Sequence, residues 1–125
     1  MKHLSLFKKL SAFAIAATAA IAFNSAMAAT GTITAPVDRI MFDNDLYGAC
    51  VAHFPAHNPK SVLPGCADNW ITFDCDAQFN DENKAYEMFS LVQMAFALNK
   101  RVRITFTDEQ THNGWCVAKR VQILP

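Results

Sequence analysis

Glycine is scarce, with four in 125 residues, and none of the four belongs to a G-x-G-x-x-G, G-x-x-x-x-G-K-[ST] or G-x-S-x-G arrangement. The chain therefore lacks the backbone loops that cradle phosphates and the strained turn that presents a serine nucleophile. It has no H-E-x-x-H, and no two cysteines lie closer than Cys66 and Cys75, so the close cysteine pair usual in structural zinc sites is missing. No internal repeat, low-complexity tract or linker interrupts it, and neither sign of charge is in excess, at eleven Lys+Arg against eleven Asp+Glu. These absences argue against an enzyme. They lead to the expectation of one domain without a catalytic residue, a metal or a cofactor.

What is present begins with a basic start, MKHLSLFKK, followed by the apolar run LSAFAIAATAAIAF and then NSAMA. The run is too short to span a bilayer comfortably, and Ala26-Met27-Ala28 is the small-x-small pattern that precedes a cleavage site. Residues 1–28 read as a signal peptide cleaved after Ala28, which leaves a 97-residue chain of 29–125, secreted or periplasmic and without a transmembrane segment. Lys2, Lys8 and Lys9 leave with the signal while every carboxylate stays, so eight positive charges face eleven negative ones, a net of −3. A mildly acidic chain is a poor partner for nucleic acid or an anionic membrane held by bulk charge.

All four cysteines, Cys50, Cys66, Cys75 and Cys116, lie beyond the signal. An even number in a small exported chain is the signature of disulfides, and a domain of this size gains most from such cross-links. In THNGWC, residues 111–116, His112 and Cys116 then read as a solvated turn histidine beside Asn113-Gly114 and half of a disulfide, not as a base and a nucleophile. Four cysteines allow three pairings. A hairpin across the 55–65 loop can oppose Cys50 and Cys75, and sequence physics leaves that pairing open.

The remaining pattern predicts strand, strand, strand, helix, strand, strand. TGTITAPVDRIMFD, residues 30–43, alternates as a long first strand with a bend or edge position at Pro36. LYGACVAHF forms a second strand, and three prolines and a glycine in 55–65 predict an ordered surface loop. NWITFDCD turns Ile71, Phe73 and Cys75 to one face and Trp70, Thr72 and Asp74 to the other. Asp74 and Asp76 then project together, opposite Cys75, as solvated carboxylates. A helix starts at Asn80 or Asp81 as N-cap and ends near Lys100 and Arg101. RVRITFTD, the turn EQTHNG and WCVAKRVQILP complete the chain as two more strands.

The helix carries more apolar surface than one core contact needs. Ala85, Met88, Phe89, Val92, Ala95 and Phe96 make an inner face. Tyr86, Leu91, Met94 and Leu98 widen it, which points to an oligomer interface.

A strand-rich first half, one central helix, FALNKRVRITF at the helix-to-strand passage, and YGACVAHF followed by a loop and GCADNW together resemble the small B subunits of bacterial AB5 toxins. The subtilase-cytotoxin and pertussis-like group is the most similar. The resemblance implies a mainly β fold with one central helix, a small OB-fold-like barrel stapled by Cys50 with Cys66 and Cys75 with Cys116. It also implies a homo-oligomer, a pentamer in those toxins, with an exported A-type chain and a cell-surface glycan as partners. In sialic-acid-binding members a serine near the start of the first strand and a tyrosine after the helix touch the sugar. The nearest positions here are Thr30 or Thr32 and Thr105-Phe106, where threonine keeps a hydroxyl and phenylalanine has none.

Composition adds two aromatic candidates for the ligand, Trp70 with Asp68 and Asn69, and Trp115 with His112 and Asn113. Arg101, Arg103, Lys119 and Arg120 would give an OB-type sheet a basic face for an oligonucleotide, a reading that export and net acidity disfavour. The rival to the toxin-like reading is a periplasmic or secreted accessory module that docks a protein on its apolar helix.

Overall fold

The computed structural model describes residues 28–43 and 45–125, so the expected signal peptide, apart from Ala28, lies outside the described residues. The fold is mainly β. Strands β1 Thr30–Pro36, β2 Arg39–Phe42, β3 Cys50–His53, β4 Trp70–Thr72, β5 Arg101–His112 and β6 Trp115–Ile123 form one sheet, with α1 Pro59–Val62 and α2 Glu82–Ala97. Neighbours run β1-β5-β6-β4-β3-β2, all antiparallel except the parallel pair β4 and β6.

The expected first strand is broken after Pro36, and its two halves, β1 and β2, lie on opposite edges of the sheet. Counted as one bent strand, they complete a ring of five in the sense of a partly open OB-type barrel. The hydrogen-bonded ladder itself stays open, and the chain at Val37 and Asp38 closes the circuit.

The period-two reading holds on the inner face. Ile33 and Ala35 of β1, Cys50 and Ala52 of β3, Ile71 of β4, Phe73, Cys75, and Val102, Ile104 and Phe106 of β5 all join the buried core cluster. Helix α2 closes the core with Ala85, Phe89, Val92 and Ala95. The Asp81 side chain accepts from the Lys84 N–H at 3.2 Å, as an N-cap should.

The helix stop differs from expectation, because no basic residue lies in the last turn. Asn99 takes a left-handed φ of 50° instead, its N–H reaches the Phe96 carbonyl, and the Lys100 N–H reaches that of Ala95. Two carbonyls without intrahelical partners are thereby satisfied by a Schellman turn. Phe96, expected inside, is 44% exposed.

The loop 55–65 makes no strand, but it holds one helical turn. Asn58 caps α1 by accepting from Lys60 N–H at 3.0 Å, and Pro59 follows at the first helical position, where its missing N–H costs nothing. Gly31 lets α1 lie close on β1, since a Cβ there would stand 2.7 Å from Val62 Cγ1.

The disulfides join Cys50 to Cys75 and Cys66 to Cys116, which overturns the Cys50–Cys66 and Cys75–Cys116 pairing that the resemblance implied. Strand register is the reason. Phe73 N–H donates to Cys50 O and Cys75 N–H to Gly48 O, so the chain leaving β4 runs beside Cys50. Cys66 is drawn elsewhere, because Ala67 N–H donates to Gly114 O and seats the end of the loop on the β5–β6 turn. The Cα separations, 5.5 and 5.3 Å, are ordinary for disulfides.

Candidate functional site

Three places collect the residues that chemistry would use. The first is a groove of about 640 Å3 between β1 and the 55–62 segment, lined by Thr32, Thr34, His57, Asn58, Ser61 and Arg101 among others. Register builds its strand side. Thr32 faces Thr105 across β1 and β5, and their hydroxyls are hydrogen-bonded at 3.1 Å.

One hydroxyl of that pair donates to the other, which leaves one donor and free acceptor capacity at the groove edge. Arg101 gives one N–H to the Thr34 carbonyl, and Arg103 Nε donates to Thr34 Oγ1. Asn58 is committed to the fold, accepting from the Lys60 and Asn69 amides and donating to Asp68. Phe106 is buried in the core, so Thr105 is the outward member of the Thr105-Phe106 pair. Thr30 is exposed at the start of β1 opposite Thr107 and does not line the groove.

The second place is an aromatic row that register alone creates. Arg39 opposes His53, His53 opposes Trp70, and the parallel pairing of β4 with β6 sets Trp70 beside Trp115. The tryptophans, expected as two separate platforms, form one stack with rings 5.0 Å apart and 8° from parallel. Tyr47 stacks on Trp115 at 3.9 Å, His53 lies 4.6 Å from Trp70, and the Arg39 guanidinium stands 5.9 Å from the Trp70 ring.

Ring faces turned on one another are not free for a flat ligand, so the row acts first as cladding for the sheet. Asp38 ties down its end, accepting from His53 Nδ1 at 2.8 Å and from Arg39 Nε at 3.2 Å. The His53 hydrogen bond, with Arg39 second, holds the Asp38 carboxyl below its ordinary range. Asn69 serves the backbone at a φ of 64°, its carbonyl accepting from Phe54 N–H.

The third place was expected to be two unrelated surface features. β5 runs four residues further than expected, to His112, because the turn is only Asn113-Gly114, with φ of 49° and 88°. That places His112 in a strand pair with Trp115, not in a solvated turn. Its ring is buried, with Nε2 2.5 Å from Asp74 Oδ1 and 3.4 Å from Asp76 Oδ1. His112 is therefore not a surface partner for a ligand at Trp115, and Asp74 and Asp76 are not solvated.

Asp74, at a φ of 65°, also accepts from the N–H groups of Gln78, Phe79 and Asn80, and so shapes the chain into α2. Burial works to raise its carboxyl, but the Asn80 amide, His112 and the Phe79 amide outweigh it and hold it below the ordinary range. Asp76 moves the other way, raised by burial and by the neighbouring Asp74 carboxylate.

Phe79 covers His112 at 5.0 Å, and Gly48 lies against it at a φ of 78°. A Cβ at Gly48 would meet Thr72 Oγ1 at 2.4 Å and His112 Cδ2 at 2.7 Å. Substituting Gly48→Ala is accordingly expected to cost about 2 kcal/mol or more, from the left-handed backbone and the contact together, measured by urea unfolding.

On the outside of α2, Tyr86, Leu91, Met94 and Leu98 are exposed as expected, with Met94 at 52% and Leu98 at 60%. Leu91, Met94 and Leu98 follow one another at three and four residues, which makes a single stripe along the helix.

No family model, curated protein or solved structure matches this chain. Its class rests on its own geometry: a β-rich domain of OB-type strand order with two buried disulfides, the covalent feature of an oxidising compartment. Among the described residues no helix is long and apolar enough to cross a membrane.

Proposed function

We propose that this chain is an exported, non-catalytic binding module of the AB5 B-subunit type, which assembles with copies of itself along α2 and takes a glycan in the groove between β1 and the 55–62 segment. The observation that carries the reading is the pairing of Thr32 with Thr105 at a groove that Arg101 also lines. Hydroxyls and a planar guanidinium, set beside a small apolar wall at Pro55 and Val62, match the alternation of hydroxyl edges and C–H faces on a sugar ring.

Two further features support the reading. Leu91, Met94 and Leu98 give an apolar stripe of the kind that a neighbouring helix covers. The Ala29 nitrogen lies 3.3 Å from Asp108 Oδ1, so cleavage after Ala28 would create an ammonium group already facing a carboxylate. The exposed stripe equally suits an accessory module that docks a different protein, and the native mass separates the two.

Residues 29–125, exported and left oxidised, are expected to run as an oligomer that Met94→Glu converts to folded monomers, with a thermal midpoint lowered by the loss of association. The oligomer is expected to bind sialylated or other surface glycans on an array. Thr32→Val together with Arg101→Ala is expected to weaken that binding at least ~10-fold, the loss of about two hydrogen bonds, one of them charged. A monomer at micromolar concentration overturns the self-assembly, and glycan binding that the double substitution leaves intact overturns the groove.

A further inference from the structure

We propose that Asp74, Asp76 and His112 form a binding site for one divalent ion of the zinc class, independent of the glycan groove. One ligand atom from each residue lies within 4.8 Å of the other two. The three come from two segments distant in sequence. Asp74 and Asp76 follow β4, and His112 ends β5.

The side chains of Asp74, His112 and Asp76 are 0%, 4% and 11% exposed, and two carboxyl groups so far out of water need a proton, a cation or a full set of hydrogen-bond donors beside them. The hydrogen bonds do not resolve it. Asp76 Oδ1 is buried and accepts no hydrogen bond, and its near neighbour is His112 Nε2 at 3.4 Å.

The carboxylates are also oriented for a ligand between them. Asp74 Oδ2 is held by the amides of Phe79 and Asn80, and Asp76 Oδ2 by Gln78 Nε2 at 2.8 Å, so each residue keeps Oδ1 turned to the imidazole. Such outer contacts are what fix metal ligands in place. Gly48 keeps space beside the ring nitrogen, since a Cβ there would lie 2.9 Å from Nε2.

Distances suit a small ion. Metal bonds of about 2.0–2.1 Å at tetrahedral angles set ligands roughly 3.4 Å apart. The Asp76–His112 pair already has that spacing, and the 2.5 Å Asp74–His112 pair opens by less than an ångström as Nε2 gives up its proton. One imidazole and two carboxylates favour zinc or its neighbours over calcium and magnesium, which seek six or more oxygens, several of them from water. A bound ion ties the turn that starts α2 to the end of β5.

The test uses residues 29–125, oxidised and stripped with a chelator, titrated with Zn2+ alone by calorimetry at pH 7.5 and followed by thermal unfolding. One ion per chain is expected, with a midpoint rise of roughly 10 °C at about a hundredfold excess over the dissociation constant. Asp76→Asn is the decisive variant, because the amide can still accept from Gln78 and can donate to Asp74 Oδ1. Its metal-free midpoint is expected to equal or exceed that of the unmodified chain, while Zn2+ affinity falls ~100-fold or more with the loss of a ligand.

His57→Ala, which removes an imidazole outside the site, is expected to change neither quantity. No heat and no midpoint shift at millimolar Zn2+ overturns the site. So does an Asp76→Asn chain that binds as tightly as the original, which would place the ion on another histidine. Neither outcome touches glycan binding, and failure of the groove leaves the metal test unaffected.

Discussion

Replacing Cys66 and Cys116 together by alanine is expected to lower the unfolding free energy of residues 29–125 by about 4 kcal/mol, and replacing Cys50 and Cys75 by about 3.5 kcal/mol, on the chain-entropy model. The closed loops span 50 and 25 residues, and the cost of leaving a loop open in the unfolded chain grows with the logarithm of its length. Alanine is the right replacement, because all four sulfurs belong to the buried core and a serine hydroxyl there would lack a partner. The loops overlap between Cys66 and Cys75, so the two losses are not expected to add. A domain of this size has about 5–15 kcal/mol in total, and the variant lacking Cys66 and Cys116 should be partly unfolded at 37 °C. Urea titration gives the free energies, and peptide mapping without reduction gives the bonds. A Cys50–Cys66 linked peptide would refute the pairing outright.

That pairing shows where sequence reasoning stops. The alternation of Ile71, Phe73 and Cys75 gives the inner face directly, because period two survives past the end of β4. Helix α2 begins where Asp81 allows, because an N-cap is a local device that five residues specify. Which cysteine meets Cys50 is not local. It depends on the register of β3 against β4 and on Ala67 docking at Gly114, and no spacing in the chain encodes either.

The candidate site shows the same division. Thr32 is named, with Thr30, only through the toxin resemblance, whereas His57 and Ser61 reach the same groove only because α1 packs on β1. The Trp70–Trp115 stack needs the parallel β4–β6 pair, a long-range choice that no hairpin signal announces. His112 was misplaced for a smaller reason. Asn113-Gly114 supports both a broad loop and a two-residue turn, and only the tight turn carries the strand to His112 and its ring to Asp74. Asp74-Cys75-Asp76 did hold a usable signal, since two carboxylates on one face close to a strand end invite a cationic or hydrogen-bonding partner.

Substituting Asp74→Ala is expected to cost about 3–5 kcal/mol at neutral pH in the chelated protein, comparable to losing a disulfide. Alanine removes the acceptor for His112 Nε2 and for the amides of Gln78, Phe79 and Asn80, four donors that have few other partners within reach. It also places a residue without a short polar side chain at a φ of 65°. Asp74→Asn keeps the backbone preference but turns an NH2 toward N–H donors, and about half of the loss is expected to remain.

The pH dependence separates this role from simple packing. The Asp74 carboxyl is held below its ordinary value of 3.8 in the fold, so its stabilisation is complete above 3.8 and disappears as pH falls through the lower folded value. The free-energy gap between the original chain and Asp74→Ala should therefore close at strongly acid pH. Asp76, raised above 3.8, has the opposite sign: its ionised form is disfavoured in the fold, so acidification from neutrality toward 3.8 adds stability. The unmodified chain should then show its highest thermal midpoint on the acid side of neutral, a maximum that Asp76→Asn flattens and Asp74→Ala displaces. A midpoint that declines steadily from pH 7 downward in all three proteins would mean that the Asp76 carboxyl is not raised in the fold.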